Sequence, residues 1–196
     1  LVIATKLAVA QNFIRKVKTY IKSMPNWLLV PTVTANNKQQ IEFSNGSQIK
    51  AVPTSEDAGR SEALSLLIVD EAAFVRNFDE LWMGLYPTLS TGGRAILLST
   101  PNGVGGQYHE IYTKAIRKEN EFNFIKLMWD VHPERDDNWF EKETKNMSQK
   151  QVAQELLCDF ASSGDTFLSN EVLENLRTMS KMPIEKSGPN NNIWYW

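Results

Sequence analysis

The feature that most restricts the fold is a short, nearly continuous apolar run that ends in two adjacent carboxylates. Residues 64–69 read Leu-Ser-Leu-Leu-Ile-Val and are followed at once by Asp70 and Glu71. A short apolar run of this kind is typical of a strand covered on both faces, as strands of parallel sheets are. It therefore predicts an inner strand of an α/β sheet, with both acids at the strand's end.

The segments around this run alternate between strand and helix patterns. A strand is predicted at residues 1–5, and a helix over residues 8–24 because apolar residues recur there at helical spacing until Pro25. The Asn45-Gly46 step predicts a β-hairpin. Its two strands are residues 40–43 and 48–52. The later predicted elements are, in order, a helix from residue 78, a strand at 95–98, a helix over 107–118 and a strand over 122–129.

The pattern changes after residue 130. Asn138 with Glu141, and Ser148 with Gln151, have the spacing of capping boxes, so two consecutive helices are expected. We predict three parts, and the abrupt ends of the chain suggest that both termini are cut. The parts are a sheet core over residues 1–130, a small helical subdomain over 131–160 and a linker over 161–196, with a short helix at 171–177.

Composition excludes several classes of protein. The 196 residues are 42% hydrophobic, and no apolar run approaches the roughly 20 residues of a membrane helix. The single cysteine, Cys158, excludes an internal disulfide and fits a reducing compartment.

A net charge of −2 gives no general basic field for nucleic acid, so any DNA contact must come from local clusters. The candidate clusters are Arg15, Lys18 and Lys22 on one helix and Lys114, Arg117 and Lys118 on another, although a solvated helix face is the commoner explanation.

The two acids have the chemistry that phosphoryl transfer needs. Ligands of open α/β sheets bind at the carboxyl ends of the strands, where Asp70 and Glu71 are expected. There Asp70 can hold Mg²⁺ through a water, and Glu71 can act as general base on the attacking water. The alternative is that two acids simply solvate the end of a strand.

A second apolar strand ends in a bend that carries hydroxyl groups. If it returns to the same sheet edge, these hydroxyls can sense a γ-phosphate beside Glu71. The alternative is an ordinary turn, since Pro-Asn-Gly is turn chemistry. The residues of this bend are Ser99, Thr100, Pro101, Asn102 and Gly103.

In combination, these motifs resemble the ATPase domain of the large terminase subunits of tailed phages. Asp70-Glu71 resembles the Walker B motif, and residues 97–103 resemble the coupling motif. Residues 158–165 resemble the junction with the nuclease domain, and residues 1–27 resemble the stretch after the phosphate loop. The resemblance implies an additional-strand, RecA/helicase-like P-loop NTPase core, here lacking the Walker A strand, loop and helix, followed by a small helical subdomain.

The resemblance also implies a function and partners. The full-length protein would hydrolyse ATP with Mg²⁺ to move double-stranded viral DNA into a procapsid. It would form a homo-oligomeric ring on the portal protein, work with a small terminase subunit, and reside in the host cell cytoplasm with no membrane association. Arg60 lies where the family has a candidate trans-acting arginine finger, although it can equally cap a loop or pair with Glu56 or Asp57.

Two departures from the family pattern limit what the chain can do alone. No G-x-x-x-x-G-K-[S/T] sequence occurs in the chain, and no acidic triad of a nuclease is evident. The isolated chain is therefore expected to bind ATP poorly and to be inactive. Two other interpretations stay open at this point, a helicase-type DNA translocase and a non-catalytic oligomerisation or DNA-binding module.

Overall fold

The computed structural model describes residues 1–28, 31–54, 63–164 and 170–179. The chain divides into two compact units, Leu1–Gly164 and Asp165–Trp196. The first contains the sheet. The described part of the second is a single helix, Asn170–Met179.

A six-stranded sheet organises the first unit. Its strands are β1 (Val2–Ala4), β2 (Val33–Asn36), β3 (Gln40–Phe43), β4 (Gln48–Pro53), β5 (Leu66–Val69) and β6 (Arg94–Leu97). The spatial order is β2-β3-β4-β1-β5-β6. The four strands from β4 to β6 in this order are parallel, whereas β2, β3 and β4 pair antiparallel. This confirms the predicted α/β class and the hairpin at Asn45-Gly46.

Helices cover both faces of the parallel strands. The helices of the first unit are α1 (Leu7–Ser23), α2 (Phe78–Leu85), α3 (Gly106–Ile116), α4 (Asp137–Thr144), α5 (Gln149–Glu155) and α6 (Phe160–Ser163), and the helix of the second unit is α7. The short strand β1 is central to both cores, because its alternate side chains point to opposite faces. Ile3 packs with residues of α2 and α3, whereas Val2 and Ala4 pack with α1.

Strand β5 is buried less completely than its sequence predicts. Leu67 and Val69 are fully buried, but Leu66 is 41% exposed and Ile68 is half-buried. Within the described residues, one face of this strand is therefore well covered and the other only in part.

The predicted strand at residues 122–129 is wrong. The segment runs without regular structure to a 3₁₀ turn at Trp129–Val131. It contacts helical neighbours instead: the Phe122 ring lies 5.9 Å from that of Trp82, and the Trp129 amide donates to the Leu156 carbonyl at 3.0 Å. A strand needs a ladder partner, and no described strand lies beside this segment.

Of the two predicted capping boxes, one is confirmed and one is wrong. Ser148 and Gln151 form a reciprocal capping box at the start of α5. Helix α4 instead begins after Asp136, whose carboxylate accepts from the Trp139 amide at 2.8 Å. A carboxylate two residues earlier thus caps this helix in place of the Asn138 and Glu141 pair.

The helices after the sheet lie where they are expected, although the proposed division at residue 130 stays a prediction. A short helix, α6, falls partly inside the predicted linker, and α7 covers the helix predicted at 171–177. Among the described residues, no helix has the length and apolar character needed to cross a membrane.

Candidate active site

The two acids and the hydroxyl-bearing bend meet at one edge of the sheet. Strands β5 and β6 are parallel neighbours, with Val69 opposite Leu97. Past these residues, the Leu98 amide donates to the Val69 carbonyl and the Ala72 amide donates to the Leu98 carbonyl, each at 2.9 Å. The chain segments that carry Asp70-Glu71 and Ser99-Thr100 therefore lie side by side, as the sequence predicts.

Glu71 has a left-handed backbone conformation, with φ 55° and ψ 42°. A residue with a side chain adopts this region only at a cost of roughly 1–2 kcal/mol, so surrounding contacts must hold it. Ser99 Oγ accepts from the Ala73 amide at 3.1 Å, and Asn102 Nδ2 donates to the Ala73 carbonyl at 3.1 Å. The bend after β6 thus holds the turn that follows Glu71.

The electrostatic surroundings of Glu71 suit a base. Partial burial raises the pKa of the Glu71 carboxyl, and the nearby charges of Asp70 and Glu155 raise it further. A carboxylate with a raised pKa is a stronger proton acceptor than an ordinary glutamate. The surroundings of Glu71 therefore disfavour its charged form.

Gly103, at the far end of the bend, contacts the segment that follows α5. The Gly103 amide donates to Ser163 Oγ at 2.9 Å, and Ser163 Oγ donates to the Phe160 carbonyl at 3.0 Å. Ser163 is completely buried. The bend is thereby tied both to the acidic turn and to helix α6.

A cavity of about 460 Å³ lies behind the bend. Its lining includes Ala73, Asn102, Gly103 and Phe160, together with the first residues of α2 and α3. Neither Asp70 nor Glu71 lines it. The cavity and the two acids are therefore separate features of this sheet edge.

A protein family described as "Terminase large subunit, T4likevirus-type, N-terminal" matches residues 1–175. The chain belongs to this family. The match is to the N-terminal part of terminase large subunits, which act in DNA packaging.

Solved structures of other terminases share the fold. The ATPase domain of the large terminase of Thermus phage P74-26 matches with a TM-score of 0.58 and 19% identity, over 82% of this chain and 75% of that one. A large terminase from a thermophilic bacteriophage, in complex with ADP, matches with a TM-score of 0.63 and 12% identity, over 82% of this chain and 40% of that one. The P-loop NTPase-like α/β fold predicted from the sequence is therefore confirmed.

The two basic clusters of this terminase differ in their surroundings. Arg15 and Lys18 of α1 line a groove of about 590 Å³ with Lys38, which lies in the turn between β2 and β3. Lys18 Nζ donates to Asn36 Oδ1 at 3.1 Å and to the Asn37 carbonyl at 2.7 Å, so amide groups and not acids hold it. On α3, by contrast, Lys114 pairs with Glu110 at 2.6 Å.

The chain's charge is unevenly distributed along its length. No Asp or Glu occurs before Glu42, although the overall charge is −2. The first 41 residues contain six basic side chains, Lys6, Arg15, Lys16, Lys18, Lys22 and Lys38. The α1 cluster therefore lies in a strongly basic stretch, whereas acids accompany the α3 cluster.

Some predicted residues lie outside the described part of the terminase chain, and sequence patterns do not reveal others. Arg60, with Glu56 and Asp57, falls in the range 55–62, which the structure does not describe. Sequence reasoning misses the roles of Glu155 and Ser163, because the charge of Glu155 affects Glu71, and Ser163 contacts the bend, only through tertiary packing. Glu155 has no local signal, and the small, polar Ser-Ser-Gly run at 162–164 is equally typical of a linker.

Proposed function

We propose that this chain supplies the water-activating and phosphate-sensing half of a terminase ATPase site. The observation that carries the proposal is the adjacency of Glu71 and the Ser99–Gly103 bend at the carboxyl edge of two parallel strands. The phosphate loop would come from residues outside this sequence, since the chain contains no such motif. The family's general activity is ATP hydrolysis, and the isolated chain is proposed to lack it.

Each residue of the site has a proposed chemical role. Glu71 accepts a proton from a water as that water's oxygen attacks the γ-phosphorus, and ADP leaves with the electrons of the broken P–O bond. Thr100 and the hydroxyl hydrogen of Ser99 are available to contact the phosphate. Arg60 is proposed to reach the neighbouring subunit's nucleotide, where a permanently charged guanidinium stabilises the transferring phosphoryl group.

Mg²⁺ fits this site only together with the nucleotide. Among the described residues, no group of three or more His, Cys, Asp or Glu side chains is placed to hold a metal alone. Mg²⁺ commonly binds through one or two carboxylates, waters and substrate phosphates, so the single carboxylate of Asp70 is a suitable partner. Asp70 is proposed to hold the ion through a water, where the metal would offset negative charge on the phosphates.

The whole protein is proposed to act as a homo-oligomeric ring on the portal protein of a procapsid, in the host cell cytoplasm. Double-stranded DNA and the small terminase subunit are its other proposed partners. Family membership supports DNA packaging in general. The basic groove beside α1 supports a contact with the DNA backbone.

The deciding experiment uses the full-length protein with Glu71→Gln. Because only the activation of water is lost, the turnover number should fall by at least ~100-fold while the dissociation constant for ATP stays within about twofold. Glu80→Gln, which changes an exposed acid of α2, is the matched control and should leave both values unchanged. Hydrolysis at the normal rate in the Glu71→Gln protein would refute the proposed site.

A further inference from the structure

The bend after β6 is not held by strand pairing alone. Strand β6 ends at Leu97, and α3 begins at Gly106, so eight residues between them have no regular structure. Gly103 and Gly105 both have positive φ angles, 77° and 114°. A segment of this kind needs outside contacts to hold one conformation.

Ser163 provides one such contact from inside the protein. Among the described residues it is the one buried polar or charged side chain, with no exposed area. Its hydroxyl accepts from the Gly103 amide and donates to the Phe160 carbonyl, which uses both functions of the group. A buried hydroxyl that makes both of these hydrogen bonds fixes the distance between the bend and α6.

The backbones of Gly103 and Gly164 touch directly beside this hydrogen bond. A Cβ atom on Gly103 would lie 2.9 Å from Gly164 Cα, and a Cβ atom on Gly164 would lie 2.8 Å from Gly103 Cα. Both neighbours are backbone atoms, which cannot turn aside as a flexible side chain can. The contact therefore requires glycine at both positions.

Helix α6 is itself anchored on the rest of the unit. The Phe160 ring lies 5.0 Å from that of Tyr112 and 4.9 Å from that of His109, both on α3. The Asp159 carboxylate caps α6 by accepting from the Ala161 amide at 3.0 Å. Ser163 thus connects the bend to α6, which itself packs on α3.

We propose that Ser163 and Gly164 are positioning residues for ATP hydrolysis: they fix Gly103, and through Asn102 and Ser99 they hold the turn that carries Glu71. The connected path runs from Ser163 Oγ to the Gly103 amide, along the bend to Asn102 and Ser99, and from these to the two polar atoms of Ala73. This inference rests on the proposed function, because the path ends at the proposed base. Neither residue touches the reacting atoms.

The test compares variants of the full-length protein in turnover number, Michaelis constant for ATP and thermal midpoint. Ser163→Ala removes the acceptor of the Gly103 amide, and the turnover number should fall about tenfold, the range expected for one hydrogen bond. The Michaelis constant should change less than about twofold, since no group that binds nucleotide is altered. Ser90→Ala changes an exposed serine at the other end of β6, is the control, and should keep the normal turnover number.

Two further variants keep the test decisive if Ser163→Ala unfolds. Ser163→Cys preserves the volume with a weaker acceptor and should give an intermediate turnover number. Gly164→Ala should lower the turnover number at least as much as Ser163→Ala, because its methyl group separates the two backbones. A normal turnover number in Ser163→Cys would overturn the proposal. So would a lower turnover number in Ser163→Ala that is accompanied by an equal rise in the Michaelis constant.

Failure of this inference can be told apart from failure of the proposed function. If Glu71→Gln abolishes hydrolysis but the Ser163 variants turn over normally, only the positioning role is wrong. If Glu71→Gln hydrolyses ATP normally, the site itself is wrong.

Discussion

At the scale of single residues, Glu71 combines a strained backbone with a raised pKa. The left-handed conformation turns the chain sharply after β5, and the Ala73 contacts of Ser99 and Asn102 hold the turn that follows. Burial, Asp70 and Glu155 all disfavour the charge of the Glu71 carboxylate. Surroundings that disfavour the charge of an acid, here the acid with the proposed base function, are typical of functional sites.

The raised pKa predicts how stability depends on pH. Below the ordinary pKa of a glutamate, Glu71 is protonated in both the folded and the unfolded chain and does not affect stability. As pH rises from there through the raised folded-state pKa, the unfolded chain loses its proton first, and the folded protein loses stability. Glu71→Gln should therefore raise the thermal midpoint at about pH 8 and leave it unchanged at about pH 3, below the ordinary carboxyl pKa, as measured by circular dichroism. An equal difference at both pH values would contradict an electrostatic cause.

Glu155 offers a second prediction at this scale. Its negative charge is one of the causes that raise the pKa of Glu71. In the full-length protein, Glu155→Gln should shift the acidic limb of the turnover–pH profile to lower pH, because Glu71 then ionises more readily. Glu143→Gln, which changes another acid, on α4, is the control. An unchanged limb in Glu155→Gln would show that Glu71 is not the group that titrates.

At the scale of elements, α1 and α3 carry similar basic clusters in different settings. The α1 cluster faces Lys38 across a groove and belongs to a stretch without acids. The α3 cluster contains the Lys114–Glu110 pair, and Glu119 follows it directly. A phosphate backbone is attracted by uncompensated charge, so α1 is the better candidate for DNA contact.

This difference predicts unequal effects of neutralising the two clusters. In the full-length protein, changing Arg15, Lys18 and Lys38 together to Gln should weaken duplex binding. It should also reduce the slope of log K against log salt by up to about 2.7, or about 0.9 for each phosphate that the variant no longer neutralises. The matched triple change of Lys114, Arg117 and Lys118 should reduce the slope less. Equal slopes for both triple variants, measured by fluorescence anisotropy, would contradict an α1 interface.

The elements also show where sequence patterns succeed and fail in this chain. Helix α1 and strand β6 are predictable to within about a turn, because periodicity and Pro25 or Ser99 are local signals. Strand β2 escapes prediction, since its Val-Thr-Ala-Asn alternation covers only four residues and all four are exposed. The strand predicted at 122–129 rests on composition alone, and composition does not provide a ladder partner. The contact of Ser163 with Gly103 spans 60 positions and leaves no local pattern.

At the scale of the whole molecule, the sheet of the first unit ends in an uncovered parallel strand. Strand β6 is last in the strand order of the described residues, and its Ile96 is 44% exposed. Leu98, which directly follows the strand, is 48% exposed. An apolar edge of this kind is a site for further pairing, either with another strand or in aggregation.

The phosphate-loop strand proposed to precede this sequence would pair with the free edge of β6. The backbone geometry of β6 identifies the amides that would be hydrogen-bonded in that pair. The Arg94 amide donates to Ser65 and the Leu98 amide donates to Val69, both toward β5. Since parallel strands alternate their bonding sides, the Ala95 and Leu97 amides point away from β5.

Hydrogen exchange should therefore be fast at Ala95 and Leu97 in the 196-residue chain, and slowed in a longer protein that includes the upstream strand. The exposed edge strand β2 is the internal control, where exchange should not change. Equal exchange at Ala95 and Leu97 in the two proteins would mean that no strand pairs there, and that the phosphates must reach Glu71 by another arrangement.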